Sequence, residues 1–325
     1  MSALAHLVAA TAPARYAALG PGAHPPHRAP PPVLGANLVS DLHELFTYHF
    51  MVTALAAGTV VAVLAAAVGW VMVLRRQSFA GHTLAVVGFP GAAGATLVGL
   101  PIAVGYFGAC VAAALVIAAI PRGRAGTSRG AESAVTGAVQ AFALAAGVLF
   151  VNLYQGFLNG VDALLFGSFL GITDSQVWSL TAVAVGALAL LVLLGRPLLF
   201  ASVDPDVARA RGVPVRALSL AFVVLLGVAV AAASEITGSL LVFALLVMPA
   251  AAAQQVTARP GLGLVLSVAL GLLVTWSGLA VAYFSIYPSG FYLTSFGFAV
   301  YLVAAGVRGV SEARSRRVAA LGRGA

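Results

Sequence analysis

Few side chains in this 325-residue sequence can do chemistry: six histidines, nine acids and one cysteine, Cys110. The most informative histidine is His82. It follows Arg75 and Arg76 in the stretch RRQSFAGHTLAVVGFPGAAGATLVGLP and opens an apolar run crowded with glycine and alanine. An imidazole suits Zn²⁺ and other borderline divalent ions. The same residue type also serves as a polar group at a membrane boundary, and residue type alone leaves both roles open. His43 and His49 stand together ahead of the first apolar run, placed either to form part of an outer metal site or to sit in an interface. His24 and His27 fall in the low-complexity stretch GPGAHPPHRAPPP and are assigned no role. Glu235 is a candidate because a carboxylate beside hydrocarbon is costly, with snorkelling to the headgroups as the alternative. With no lysine, the chain has no phosphate-binding GxxxxGK[ST] loop. It also shows no Ser/His/Asp constellation and no CxxC, so catalysis within this chain is not expected.

The elements that position these groups follow from composition. The sequence is 61% hydrophobic and 8% charged, with mean hydropathy +1.04. Soluble domains carry about 25% charged residues. An all-α polytopic membrane protein is expected. Apolar runs long enough to cross a ~30 Å hydrocarbon core lie near 50–74, 82–100, 102–120, 134–154, 174–195, 217–234, 238–256, 262–284 and 291–307. That is about nine helices, or eight if the weak boundary at Leu100-Pro101 joins two runs. Residues 1–45, rich in Ala, Pro and His, read as a disordered tail. The start lacks a basic segment ahead of an apolar stretch, so no cleaved leader is expected.

All 17 basic residues are arginines, and the net charge is +8. They are spread singly between apolar runs rather than gathered in a patch, which argues against nucleic acid as a partner. Arg75, Arg122, Arg196, Arg209, Arg211, Arg216, Arg259 and Arg308 fall on one side if the first helix runs inward. The positive-inside rule then puts the N-terminus outside and the C-terminus in the cytoplasm. Asp41, Glu44, Asp162, Asp174 and Glu235 fall on the outer side or at outer helix ends. Such a mouth either concentrates cations or simply tolerates acids.

Two further patterns are structural. Gly88, Ala92, Ala95 and Gly99 share a helical face flanked by Gly91 and Gly94, spaced for close helix packing in lipid. Pro90 and Pro249 are expected to kink their helices. In GRPLLFASVDPDVARARGVPVRA, Asp204-Pro205-Asp206 reads as a helix start and Gly212 as its cap, enclosing a short helix with Arg209 and Arg211.

Five pieces occur in order over about residues 46–307: FMVTALAAGTVVAVLAAAVGWVMVLRRQSFAGHTLAVVGFPGAAGA, LLFGSFLGIT, VDPDVARARGVPV, TGSLLVFALLVMPAAAA and YPSGFYLTSFGFAVYL. Together they resemble the membrane permease subunit of ABC importers for zinc, manganese and related divalent metals. The resemblance implies a type II-like permease over residues 46–308, a coupling loop at 196–216 and a basic cytoplasmic tail at 309–325. It implies a homodimer in the cell membrane, a separate cytoplasmic ABC ATPase on the coupling loop, and an extracytoplasmic metal-binding protein at the outer mouth. Asp204, Asp206, Arg209, Arg211 and Gly212 would serve coupling. His82, His43, His49, Glu235, Asp162 and Asp174 would line the metal pathway. There would be no permanently bound cofactor, only a transported divalent metal, with zinc ahead of manganese. One departure stands out. The family reads Gly-Asp-Ala-x-Ser-His after the arginine pair, whereas this chain has Gly81-His82-Thr83-Leu84-Ala85-Val86. The family's aspartate position holds His82 and its histidine position holds Val86. An imidazole favours Zn²⁺ over the oxygen-preferring Mn²⁺, and the change also admits a non-metal solute. The competing classes are an ion-coupled secondary transporter, which should show internal repeats and mid-membrane ionisable groups, and a non-transporting membrane scaffold.

Overall fold

The computed structural model describes residues 45–119, 128–154, 164, 165, 167, 169–285 and 287–321, and every extended element among them is a helix. The order is α1 (His49–Leu74), α2 (Ser78–Leu97), α3 (Ile102–Ala119), α4 (Ser128–Leu153), α5 (Asp174–Val203), α6 (Pro205–Ala210), α7 (Val215–Thr237), α8 (Ser239–Val256), α9 (Pro260–Tyr283) and α10 (Ser289–Leu321). A single 3₁₀ turn, Phe169–Gly171, precedes α5. Eight of these helices are long and apolar enough to span a bilayer. The long helix outside that set is α2. Its 20 residues match a span in length, but glycines, Pro90, Thr83 and His82 dilute its apolar character, and 13 of its residues are buried.

The packing explains that exception. Helices α1 and α7 are buried over most of their length, whereas α4, α5 and α10 expose most of theirs. Helix α2 lies between α3 and α4 and also meets α7 and α8. A helix surrounded by protein has no need of leucines toward lipid; it needs small residues that let neighbours approach. A Cβ on Gly91 would come 2.3 Å from Ala109 Cβ and 2.4 Å from the Gly105 oxygen. One on Gly88 would lie 3.0 Å from the Tyr106 ring, and one on Gly94 3.3 Å from Phe150. Ala92 and Ala95 are buried on the same helix. Gly99 departs from the expected stripe. Nothing lies within 4 Å of its Cβ position, and its φ of +76° marks it as the turn that ends α2. Its glycine serves backbone conformation, not packing.

Several boundaries also differ from the sequence reading. Helix α5 continues through Pro197 to Val203, eight residues past the expected end at 195. The proline removes one hydrogen bond, but Leu198 and Ala201 beyond it are buried, and packing carries the helix on. Pro90 and Pro249 likewise lie inside helices that continue past them. Helix α10 extends from Ser289 to Leu321, so residues 309–321 are helical in continuation of the last span. An Arg308–Glu312 pair at 2.8 Å supports that extension at i,i+4 spacing. The tail expected at residues 1–45 falls almost wholly outside the described residues.

The two ends of the bundle differ. At one end, Arg75 reaches Ser202 and Ser219, Gln254 donates to the Trp70 carbonyl, and Arg308 donates to Gln255. Arg209, Arg211, Arg216 and Arg259 lie in or beside the connections at this same end. At the other end, His49 meets Asp174 and an aromatic cluster forms from Tyr48, Phe50, Tyr283 and Phe284, with ring centroids 4.9–6.3 Å apart. Arginines gathered at one end are the asymmetry found between the two surfaces of a membrane, and aromatic clusters mark either boundary.

Candidate functional site

The turn from α1 into α2 sets His82. Arg75 caps α1, and Arg76 takes a φ of 57°, the left-handed region that non-glycine residues seldom occupy. The chain then enters α2 so close to α1 that a Cβ on Gly81 would lie 2.2 Å from Met72 Sδ. With Gly81 pressed on α1, the next side chain is directed toward α4 and α8. The His82 ring packs on Phe243 of α8, centroids 4.7 Å apart, and its Nε2 lies 3.1 Å from Gln140 Nε2 of α4. Its Nδ1 is buried without a protein partner among the described residues. An amide nitrogen is a donor only, so in this orientation Gln140 donates to Nε2 and the proton of a neutral ring sits on Nδ1. Rotating the amide by 180° lets Nε2 donate to the amide oxygen and leaves Nδ1 as a lone-pair donor able to hold a cation.

The level of this residue in the bundle follows from its neighbours. The carbonyl of Leu84, two residues on, accepts from Cys110 Sγ at 3.4 Å, and Cys110 lies midway along α3 and against Gly227 midway along α7. His82, half-buried, therefore lies about two residues short of that level, against α4 and α8. Val86, one turn further, is 3% exposed and offers no ligand atom.

Glu235 is half-buried. It lies in the last turn of α7, within electrostatic reach of Tyr106 on α3, whose ring sits against Gly88. That end of α7 is covered. The Tyr106 hydroxyl donates to the Leu164 carbonyl at 2.8 Å, and the backbone around Leu165 and Gly167 rests on the α7–α8 junction. The contact is made by two glycines, Gly167 at φ +75° and Gly238 at φ +76°. A Cβ on Gly238 would fall 2.3 Å from the Gly167 nitrogen, and one on Gly167 2.4 Å from the Thr237 carbonyl carbon. The segment dips into the bundle, because Phe169 reaches Gly58, nine residues along α1 from the His49 end and about 14 Å deeper. The buried hydroxyls of Ser234 and Ser239, without protein partners among the described residues, lie beside this junction.

His49 and Asp174 form a separate, exposed pair at 3.2 Å, with Thr53 Oγ1 donating to the other carboxylate oxygen at 3.4 Å. Most of α1 separates this pair from His82, about 35 Å of helix. The sequence candidates thus stay apart: His49 with Asp174 at one end, and the half-buried His82 and Glu235 on separate helices. His43 and Asp162 lie outside the described residues. Among the described residues, no three His, Cys, Asp or Glu side chains converge. Gln140, Phe243 and Tyr106 carried no signal in the sequence, where each is one polar or aromatic residue in an apolar helix.

At the arginine end, α6 hangs between α5 and α7. Asp204 Oδ1 accepts from the N–H groups of Asp206 and Val207 at 3.1 and 3.0 Å, and Pro205 opens the helix. Arg209 pairs with Asp206 at 2.6 Å. Gly212 closes the turn at φ +79°, with nothing within 4 Å of its Cβ position. Only Ala208 of this helix is buried; Arg209 and Arg211 face outward. The short helix is a rigid, exposed knob on the membrane domain.

The fold is an all-helical membrane bundle with an exposed, capped helix at its arginine-rich end. Residues 47–308 match the model of the ABC 3 transport family, and the chain belongs to that family. It is 28% identical over 253 residues to the manganese transport system membrane protein MntC of Halalkalibacterium halodurans, covering 77% of this chain and 84% of the relative. It is 31% identical over 249 residues to the chelated iron transport system membrane protein YfeC of Yersinia pestis, covering 77% and 82%. The solved structure of PsaBC from Streptococcus pneumoniae in complex with Fab matches with a TM-score of 0.73 at 25% identity, covering 82% of this chain and 95% of that one.

Proposed function

We propose that this chain is the membrane permease of an ABC importer that moves a divalent transition-metal ion, with zinc the expected cargo. Family membership supports the transporter class and sets aside the ion-coupled secondary transporter and the scaffold. The observation that carries the metal reading is His82, a half-buried imidazole between α4 and α8 whose buried Nδ1 has no protein partner among the described residues. Imidazole binds Zn²⁺ and Fe²⁺ more readily than Mn²⁺, for which oxygen donors are preferred. The relatives are named for manganese and chelated iron, so the zinc preference rests on His82 and Val86 standing where the family has Asp and His. The chelated-iron relative favours Fe²⁺, bare or chelated, as the second reading.

Two copies of the chain would form the pathway. The His49 end faces outward and receives the ion from an extracytoplasmic binding protein at the mouth bearing His49 and Asp174. The arginine end faces the cytoplasm, where a separate ABC ATPase docks on α6. ATP hydrolysis resides on that partner. The test is uptake of Zn²⁺, Fe²⁺ and Mn²⁺ in competition, in cells lacking the gene and in cells given it back with its ATPase. Restored zinc uptake that disappears with a hydrolysis-dead ATPase supports the reading. Restored uptake of Mn²⁺ alone removes the zinc assignment, and no uptake of any of the three removes the bare-metal cargo.

A further inference from the structure

We propose that Arg75 is a positioning residue that ties the docking knob α6 to the His82 helix, and so carries ATP-driven movement from one to the other. The proposal rests on the reading that the ATPase docks on α6. Arg75 ends α1, yet its guanidinium reaches the helices on both sides of α6. Nη1 donates to Ser202 Oγ at 3.0 Å, in the last turn of α5 immediately before α6. Nη2 donates to Ser219 Oγ at 2.8 Å, near the start of α7 just after it. The guanidinium carbon lies 5.5 Å from the centre of the Phe222 ring, also on α7. Nε donates to Gln77 Oε1 at 3.4 Å, inside the α1–α2 turn.

One planar, forked side chain thus holds both anchors of α6 and the turn that leads to His82. A fork with its donors in fixed directions makes the two hydroxyls move as one body; a flexible ammonium cannot hold both in that geometry. The remaining path is short. Arg76 follows in the left-handed region, a conformation that persists only where surrounding contacts enforce it. Gly81 is pressed on Met72 with no slack for a side chain, and His82 is the next residue. A shift of the α5 and α7 ends must turn the start of α2, because neither contact can stretch. The knob itself has one buried residue, Ala208, and packs chiefly on α5 and α7, so force applied to α6 leaves through those two helices.

The test needs no knowledge of the cargo. A His82→Cys variant is purified with the ATPase and reconstituted in vesicles. Cys110 is fully buried, so a maleimide reports on position 82. ATP hydrolysis, ATPase retention and the ATP-dependent change in labelling rate are measured with Arg75 intact and with Arg75→Ala, Arg75→Lys and Ser202→Ala/Ser219→Ala. The expected result is that Arg75→Ala retains the ATPase and its hydrolysis but reduces the ATP-dependent labelling change about fivefold or more. Arg75→Lys restores part of it, and the double serine variant reproduces the loss if Arg75→Ala fails to fold. An unchanged response in Arg75→Ala, or equal falls in hydrolysis and labelling caused by loss of the ATPase, overturns the proposal. If Asp204→Ala/Gly212→Val leaves ATPase retention untouched, the docking reading fails separately, whatever Arg75 does.

Discussion

His82 illustrates how one substitution within a family motif redistributes chemistry. An aspartate in its place would bring a full charge into the bundle, which is costly without a bound cation. An imidazole can rest neutral, held by Gln140 and tilted against Phe243, and still present Nδ1 to an ion. His82→Ala is expected to abolish selective uptake while leaving membrane insertion intact, as seen in competition assays with whole cells. Gln140→Leu removes the group that sets which ring nitrogen carries the proton. Its apparent affinity should fall about tenfold at unchanged protein level, the usual effect of losing an outer-shell partner. A titration of uptake against ion concentration measures it, and equal affinity would separate Gln140 from the site. The double change His82→Asp/Val86→His restores the family pattern and should move selectivity toward Mn²⁺. Position 86 is tightly enclosed, so the new histidine will also cost some folded protein.

Among elements, α2 and α6 are built on opposite principles. Helix α2 is a packing element whose contacts leave no room. A side chain at Gly91 meets Ala109 and the Gly105 backbone, so Gly91→Leu should destabilise the bundle by about 1–3 kcal/mol or more. Gly99→Ala meets no neighbour and strains only a turn, so its cost should be about 1–2 kcal/mol. Thermal unfolding of the detergent-solubilised protein ranks the two, and equal stability of Gly91→Leu and the parent chain would contradict the packing. Helix α6 is exposed and capped. Asp204→Ala removes an acceptor shared by two N–H groups and should weaken the helix by about 1 kcal/mol. Transport should fall with the amount of ATPase retained on purification.

At the scale of the whole molecule, the contrast between the two ends makes a prediction about sidedness. Single cysteines at Tyr48 and Tyr287 should react with an impermeant reagent in intact cells, and cysteines at Asp206 and Arg211 only after the membrane is opened. The opposite pattern would invert the assigned direction of transport. Exposed Trp178, Val192 and Leu193 on α5 belong in lipid or against a second copy, since 61% of the sequence is hydrophobic and few faces are polar. Molar-mass measurement of the purified complex is expected to show two copies of this chain with the ATPase; a single copy would remove the dimer.

Composition and the spacing of apolar runs were enough to specify a multi-span helical membrane protein, because a bilayer forces every backbone group into a helix of nearly set length. Local chemistry also made α6 legible, since an N-cap, a first-turn proline and a terminal glycine act within a few residues of one another. The five family pieces identified the transporter class by the same local route. Tertiary contacts decided the rest. Nothing in the order of residues shows that Leu165 and Gly167 cover the α7–α8 junction, that Gln140 and Phe243 meet His82, or that Arg75 spans Ser202 and Ser219. Those partners stand 58 to 161 residues apart, and only the packing of helices against one another brings them within a few ångströms. The partial burial of His82 and Glu235 belongs to the same class. A span read alone shows where its ends are, but how far a side chain lies from water depends on which neighbours rise above it.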